Sequence, residues 1–220
     1  MKKLLFCIFA HPDDEAFGPA GTLLKLRAEG YDIHLILLTD GEAGVNIDNV
    51  PDLAAIRLDE WYASASLLSA SSAHALHYPD GTLETIDTGE LEEKLRQHIR
   101  KIINDYVEST EVSFMTFEPN GLTGHRDHIV ASEVTTRITK DFQPYKIWYF
   151  CLDSTQAPLD ETTYYKPRSR EDSYITKKID ITPWLETKYL MMDAHHSQRN
   201  DAEVMKKLGA TTECFHIDTF

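Results

Sequence analysis

The chain has 220 residues, 42% hydrophobic and 26% charged, the composition of a soluble globular protein with room for one sizeable core. Its formal net charge of −14 argues against nucleic acid and against anionic membrane surfaces as partners. Cys7, Cys151 and Cys214 are widely spaced, with no C-x-x-C, and read as reduced thiols of a cytoplasmic protein rather than a disulfide framework or a zinc ribbon.

The apolar run LLFCIFA, behind two lysines, has the look of a signal peptide. It is short, however, and ends in HPDDE rather than at a small-residue cleavage site, so a first β-strand is expected. EAFGPAGTLLKLRAEG follows with helical apolar spacing and closes on a glycine. YDIHLILLTDG reads as a second strand, and DLAAIRLDEWYASASLLSA as a helix capped by Asp52. AHALHYPDG is a third strand and loop, TGELEEKLRQHIRKIINDY an amphipathic helix, VSFMTFEP a fourth strand and GHRDHIVASEVTTRITKDF a further helix. YKIWYFCLD is a fifth strand, and residues 182–208 are helical in one or two pieces. DSTQAPLDETTYYKPRSREDS is long for a loop and reads as a hairpin, a flap over a site or a solvated excursion.

This alternation predicts a single α/β domain over residues 1–220, a Rossmann-like, mostly parallel sheet with helices on both faces. Such sheets place their sites at the carboxyl ends of the strands. HPDDE, TDGEAG, YPDG and EPNGLTGHRDH all follow predicted strands. No segment is long and apolar enough to span a bilayer.

Charges directly behind a buried strand cost several kcal/mol unless they are paired or bind a cation. His11 and Asp14 stand three apart across a turn stiffened by Pro12, and His125 and His128 three apart at a predicted helix start. Imidazole nitrogen and carboxylate oxygen both suit zinc, and three protein ligands with one open position describe a catalytic site. His11, Asp14 and His128 make such a two-histidine, one-carboxylate set. Each pair alone is a weak signal; both falling behind strands of one sheet is a stronger one.

The boxes Ala10-His11-Pro12-Asp13-Asp14-Glu15 and His125-Arg126-Asp127-His128 resemble the A-H-P-D-D-E and H-x-D-H signatures of the LmbE-like, PIG-L-type zinc-dependent N-deacetylases. TDGEAG, AAIRLDEW, YPDG and AHHSQ are lesser matches in the family's order. The resemblance implies His11, Asp14 and His128 as metal ligands and Asp13 as general base. It also implies His125 as the group that polarises or protonates the reacting amide, Asp127 as its orienting partner, and Arg57 and Asp80 as sugar contacts. Thr123 stands where some members carry a tyrosine, which another group, such as a tyrosine of the long segment, would replace. Arg126 takes the place of a frequent proline.

Chemistry fits these roles. Zinc lowers the pKa of a bound water to about 7 and polarises a carbonyl. Asp13, beside a ligand, can take the water's proton and pass it to the leaving amine. Glu15 is expected in a first helical turn. His195 and His196 line the site or serve structure, while Tyr164, Tyr165, Arg168 and Arg170 form either a lid or a solvated flap.

The expected activity is therefore zinc-dependent removal of an N-acetyl or other N-acyl group from a small amino sugar such as N-acetylglucosamine. Another divalent metal can replace zinc in a mixed N/O site. An amidase acting on a glucosaminyl thiol conjugate or other small amide is the alternative. A non-catalytic metal scaffold is disfavoured by Asp13 and His125. A nucleotide-binding module is disfavoured by the lack of G-x-G-x-x-G after the first strand. A homo-oligomer is left open.

Overall fold

The computed structural model describes residues 1–142, 145–157 and 167–219. The strands are β1 (Lys2–Phe9), β2 (Tyr31–Thr39), β3 (Ser72–Tyr78), β4 (Thr110–Phe117), β5 (Tyr145–Cys151), β6 (Lys177–Asp180) and β7 (Thr212–Thr219). They form one seven-stranded sheet in the order β3-β2-β1-β4-β5-β7-β6. β1 to β5 run parallel, while β7 is antiparallel to both β5 and β6.

The helices are α1 (Asp14–Phe17), α2 (Ala20–Ala28), α3 (Leu53–Leu68), α4 (Thr88–Asn104), α5 (Gly121–Gly124), α6 (Arg126–Thr139), α7 (Leu185–Ala194) and α8 (Arg199–Leu208). α7 packs against α2 and α3, and α4 packs against α6, which gives the sheet its helical cover. Apolar runs become central strands because helices cover both their faces. From Leu4 to Phe9, β1 is buried throughout. α4 instead buries only Leu91, Leu95 and Ile99, one stripe at helical spacing.

Three expectations are refined. The helix expected over residues 15–30 breaks into α1 and α2 at Gly18-Pro19, since proline has no N–H to donate and disfavours helix before it. β6 and β7 add an antiparallel edge beyond the five predicted strands. KKID is too short to show a period, and TECFHIDT mixes polar and apolar positions. Among the described residues, no helix is long and apolar enough to cross a membrane.

Topology places the site. β1 pairs with β2 on one side and β4 on the other, so successive connections leave β1 in opposite directions. A crevice opens at such a switch point, at the carboxyl ends of the strands. HPDDE and EPNGLTGHRDH are the two segments that leave the sheet there.

Candidate metal and catalytic site

His11 lies just beyond β1, with its ring held edge-on to that of His125, centroids 4.6 Å apart. Its backbone N–H donates to Asp14 Oδ2 at 2.7 Å, which closes the turn around Pro12. His11 Nδ1 lies 3.1 Å from His128 Nε2 and 3.7 Å from Asp14 Oδ2, and His128 Nε2 lies 3.3 Å from Asp14 Oδ1. Zinc bonds of about 2.0–2.1 Å in a tetrahedron put donors about 3.3 Å apart, so these three groups fit one ion.

The far ring nitrogens agree. His11 Nε2 faces Asp80 Oδ1 at 3.0 Å and Asp127 Oδ2 at 3.4 Å, which fixes the proton on Nε2 and leaves Nδ1 as a donor to metal. His128 Nδ1 donates to the Gly121 carbonyl at 3.2 Å, which leaves Nε2 free to ligate. The Phe117 ring stacks on His128 at 4.0 Å and holds its plane. His11, Asp80 and Asp127 form a second cluster of potential donors, and His11, His125 and His128 a third. The second uses the outward nitrogen of His11, so its carboxylates act as acceptors behind the ligand.

The field favours a cation. Burial pulls the His11 imidazole down, but hydrogen bonds to Asp127 and Asp80 and the Asp14 charge outweigh it and hold the metal-free ring up to about 10. Burial acts upward on Asp14, yet His128 and His11 draw it down to about 2. Asp80 and Asp127 are likewise held below the usual carboxylate range, their burial outweighed by the bond to His11.

Asp13 adopts φ 121°, a conformation that side chains other than glycine rarely take. Strain of this kind persists only where neighbours over-determine it. Here Arg57 does so, donating from NH2 to Asp13 Oδ2 at 2.9 Å and to the Pro12 carbonyl at 2.6 Å. Its NH1 donates to the Gly41 carbonyl at 2.6 Å. A Cβ on Gly41, at φ +75°, would come within 2.7 Å of the guanidinium carbon, so TDGEAG needs glycine there to admit Arg57. Burial pushes the Asp13 carboxyl up to about 6 against the opposing pull of Arg57.

Several expected roles look different in the structure. The sugar contact expected of Arg57 meets a side chain 4% exposed and already bonded to three protein oxygens. Asp80 accepts from Ala43 N at 3.1 Å as well as facing His11, so a sugar hydroxyl would have to share it. The Asp127 carboxylate does not orient His125. It accepts from Gly81 N at 2.8 Å and Leu83 N at 3.1 Å and supports His11, while the Asp127 backbone N–H donates to His125 Nδ1 at 3.2 Å. The proton of neutral His125 therefore sits on Nε2. Burial and the neighbouring His11 and His128 keep that ring neutral, at about 4.

Glu15 is fully buried, accepting from Ser64 Oγ at 2.6 Å and pairing with His195 at 3.0 Å. His196 lies beside Ile47 and Asp48 at a separate cavity of about 220 Å³. Tyr164 and Tyr165, and with them the flap tyrosine expected to replace Thr123, lie outside the described residues. Glu118 and its partner Arg170 are the members of this region that the sequence did not single out as a pair. A larger cavity of about 480 Å³ between Phe150, Met192, Met205 and Leu208 is lined by none of the metal-site residues.

In sequence, the chain is 26% identical over 223 residues to a 1D-myo-inositol 2-acetamido-2-deoxy-alpha-D-glucopyranoside deacetylase of Saccharomonospora viridis, covering 87% of this chain and 83% of that one. It is 41% identical over 103 residues to the diacetylchitobiose deacetylase of Thermococcus kodakarensis, covering 46% and 38%. In structure it resembles N,N'-diacetylchitobiose deacetylase from Pyrococcus horikoshii, with TM-score 0.69, 23% identity, and 99% and 84% coverage. GalB, a 4-carboxy-2-hydroxymuconate hydratase from Pseudomonas putida KT2440, matches with TM-score 0.70 at 16% identity, covering 99% and 96%, so the fold alone does not choose the reaction. The model of the family described as PIG-L, GlcNAc-PI de-N-acetylase, matches residues 6–139, more than half of the chain, and the protein belongs to that family of de-N-acetylases.

Proposed function

We propose that the protein is a zinc-dependent hydrolase that removes the N-acetyl group from a small amino sugar, N-acetylglucosamine or a conjugate of it. The observation that carries this reading is the triangle of His11, Asp14 and His128 donors with Asp13 beside it. A divalent cation held by those three residues supplies Lewis acidity, polarising the amide carbonyl and acidifying a water molecule.

The chain's own groups do the rest. Asp13 is 15% exposed at its side chain and tethered through Oδ2 to Arg57, so Oδ1 accepts the proton of the attacking water and delivers it to the leaving amine. His125 Nε2–H donates to the carbonyl oxygen as negative charge builds there, and the Asp127 backbone N–H sets that tautomer. Asp127 and Asp80 orient His11, and Arg57 holds Asp13 in its strained turn. The relatives' amino-sugar substrates support the choice of sugar over other amides. The free, buried thiols of Cys7, Cys151 and Cys214 support a cytoplasmic address.

The test is a product-amine assay with the zinc-loaded protein over a panel of N-acyl amino sugars and N-acetyl amino acids. N-Acetylglucosamine or its glycosides should yield acetate and free amine faster than any N-acetyl amino acid. The reverse order would remove the sugar assignment and leave a metallo-amidase.

A further inference from the structure

What holds the second ligand-bearing turn in shape is a buried carboxylate and a guanidinium 52 residues away. Glu118 follows β4 and is fully buried. Its Oε2 accepts from Asn120 N at 3.0 Å and its Oε1 from Leu122 N at 3.0 Å. Leu122 stands at φ 61° and ψ −54°, strained for a residue with a Cβ. Its carbonyl is also held, accepting from Arg168 N at 2.7 Å. Between these two anchored residues lies Gly121, whose carbonyl takes the His128 Nδ1 proton.

Among the described residues, the Glu118 charge is balanced from one place. Arg170 Nε donates to Glu118 Oε2 at 2.7 Å, and Arg170 NH2 donates to the same oxygen. With its amide oxygen turned to the guanidinium, Asn120 accepts from NH2 at 2.9 Å and NH1 at 3.0 Å. The guanidinium also lies over the Tyr174 ring, 4.7 Å from its centroid. Arg170 N donates to the Leu152 carbonyl at 2.7 Å, which pins this stretch to the end of β5.

Resting on the metal-site reading above, we propose that Arg170, paired with Glu118, is a positioning residue for the metal: it holds the Asn120–Leu122 turn in the shape that aims His128. Without the guanidinium, Glu118 would keep a buried charge with no counter-ion among the described residues. The carboxylate would then turn toward water, which releases Leu122 N and relaxes the strained turn. His128 would lose its fixed acceptor, and outer partners of this kind typically change metal affinity by about 10–100-fold. The coupling runs both ways, so bound metal steadies the stretch around Arg168 and Arg170.

The experiment is a zinc dissociation constant for the full metal-free chain, measured by competition with a chromophoric chelator, in wild type, Arg170→Ala, Arg170→Lys and Glu118→Gln. Arg170→Ala should bind zinc about 10–100-fold more weakly, with Arg170→Lys recovering part of the loss. Should Arg170→Ala fold poorly by circular dichroism, the near-isosteric Glu118→Gln gives the same reading. In wild type, zinc should slow amide exchange at Leu122 and Arg168, and in the variants this protection should shrink. Wild-type zinc affinity in both Arg170→Ala and Glu118→Gln overturns the inference. These readouts need no turnover, so an inactive panel of sugars would sink the deacetylase reading without touching this result.

Discussion

The two turns that build the site are alike in one respect and opposite in another. Each leaves a parallel strand and holds a non-glycine residue at positive φ, Asp13 at 121° in the first and Leu122 at 61° in the second. In the first, the strained residue is itself the proposed base, and a cation on α3, Arg57, grips it directly. In the second, the strained residue carries no chemistry, and an anion, Glu118, grips its backbone so that a neighbouring carbonyl can aim a ligand. On the proposed roles, strain in the first turn places a reacting group beside two ligands, and strain in the second places a metal ligand alone. Damage to their supports should separate accordingly, into lost turnover with metal kept and lost metal.

The largest effect should come from the first turn itself. Asp13→Asn should keep zinc and fold while losing about 10²–10⁴ in kcat, because an amide cannot accept the proton. Asp14→Asn should weaken zinc instead. Arg57→Ala should keep zinc too, with a smaller loss of about 10–100-fold in kcat/KM through a missing polar contact to Asp13. Turnover kinetics alongside zinc titration check all three, and an Arg57→Ala that lost zinc as Arg170→Ala is expected to would erase the distinction between the turns.

A smaller effect tests the charge contrast between this site and the rest of the sheet. His34, on neighbouring β2, is as buried as His11, but among the described residues its ring hydrogen-bonds to hydroxyls rather than to a carboxylate. It stacks on Phe6 at 5.1 Å and bonds to Ser72 Oγ at 2.8 Å and Tyr106 OH at 3.2 Å. Burial pushes it down to about 4. With the folded pKa below the unfolded value of about 6.5, the unfolded chain binds the extra proton first as pH falls. This contribution to stability is complete above about pH 6.5 and is lost as pH falls toward 4, roughly 1–3 kcal/mol in all. His34→Gln should flatten the fall in urea midpoint between pH 7 and 5, measured in chelator. An unchanged slope would remove His34 as its source.

The first turn was legible in the sequence because its parts lie within five residues. His11, Asp13 and Asp14, the proposed ligands and base, stand almost side by side, and the strand before them is an unbroken apolar run. The sheet was legible for a similar reason: its central parallel strands are buried on both faces, so they read as near-continuous apolar runs. β6 and β7 were not, since an antiparallel edge of mixed polarity gives little pattern. The burial of Arg57, the turning of Asp127 toward His11, and the pairing of Glu118 with Arg170 were also invisible. Each depends on which distant backbone amides and carbonyls converge on a side chain, and spacing along the chain does not encode that.

The most direct measurement is a zinc titration of the metal-free protein followed by acetate release from N-acetylglucosamine or diacetylchitobiose. Activity should be absent without metal, rise linearly to about one equivalent per chain and then level off, since one metal-holding donor set, His11, Asp14 and His128, is proposed among the described residues. His128→Ala should give no comparable rise over the same range. Full acetate release in the presence of chelator, or wild-type activity in His128→Ala, would contradict a metal-dependent deacetylase built on His11, Asp14 and His128.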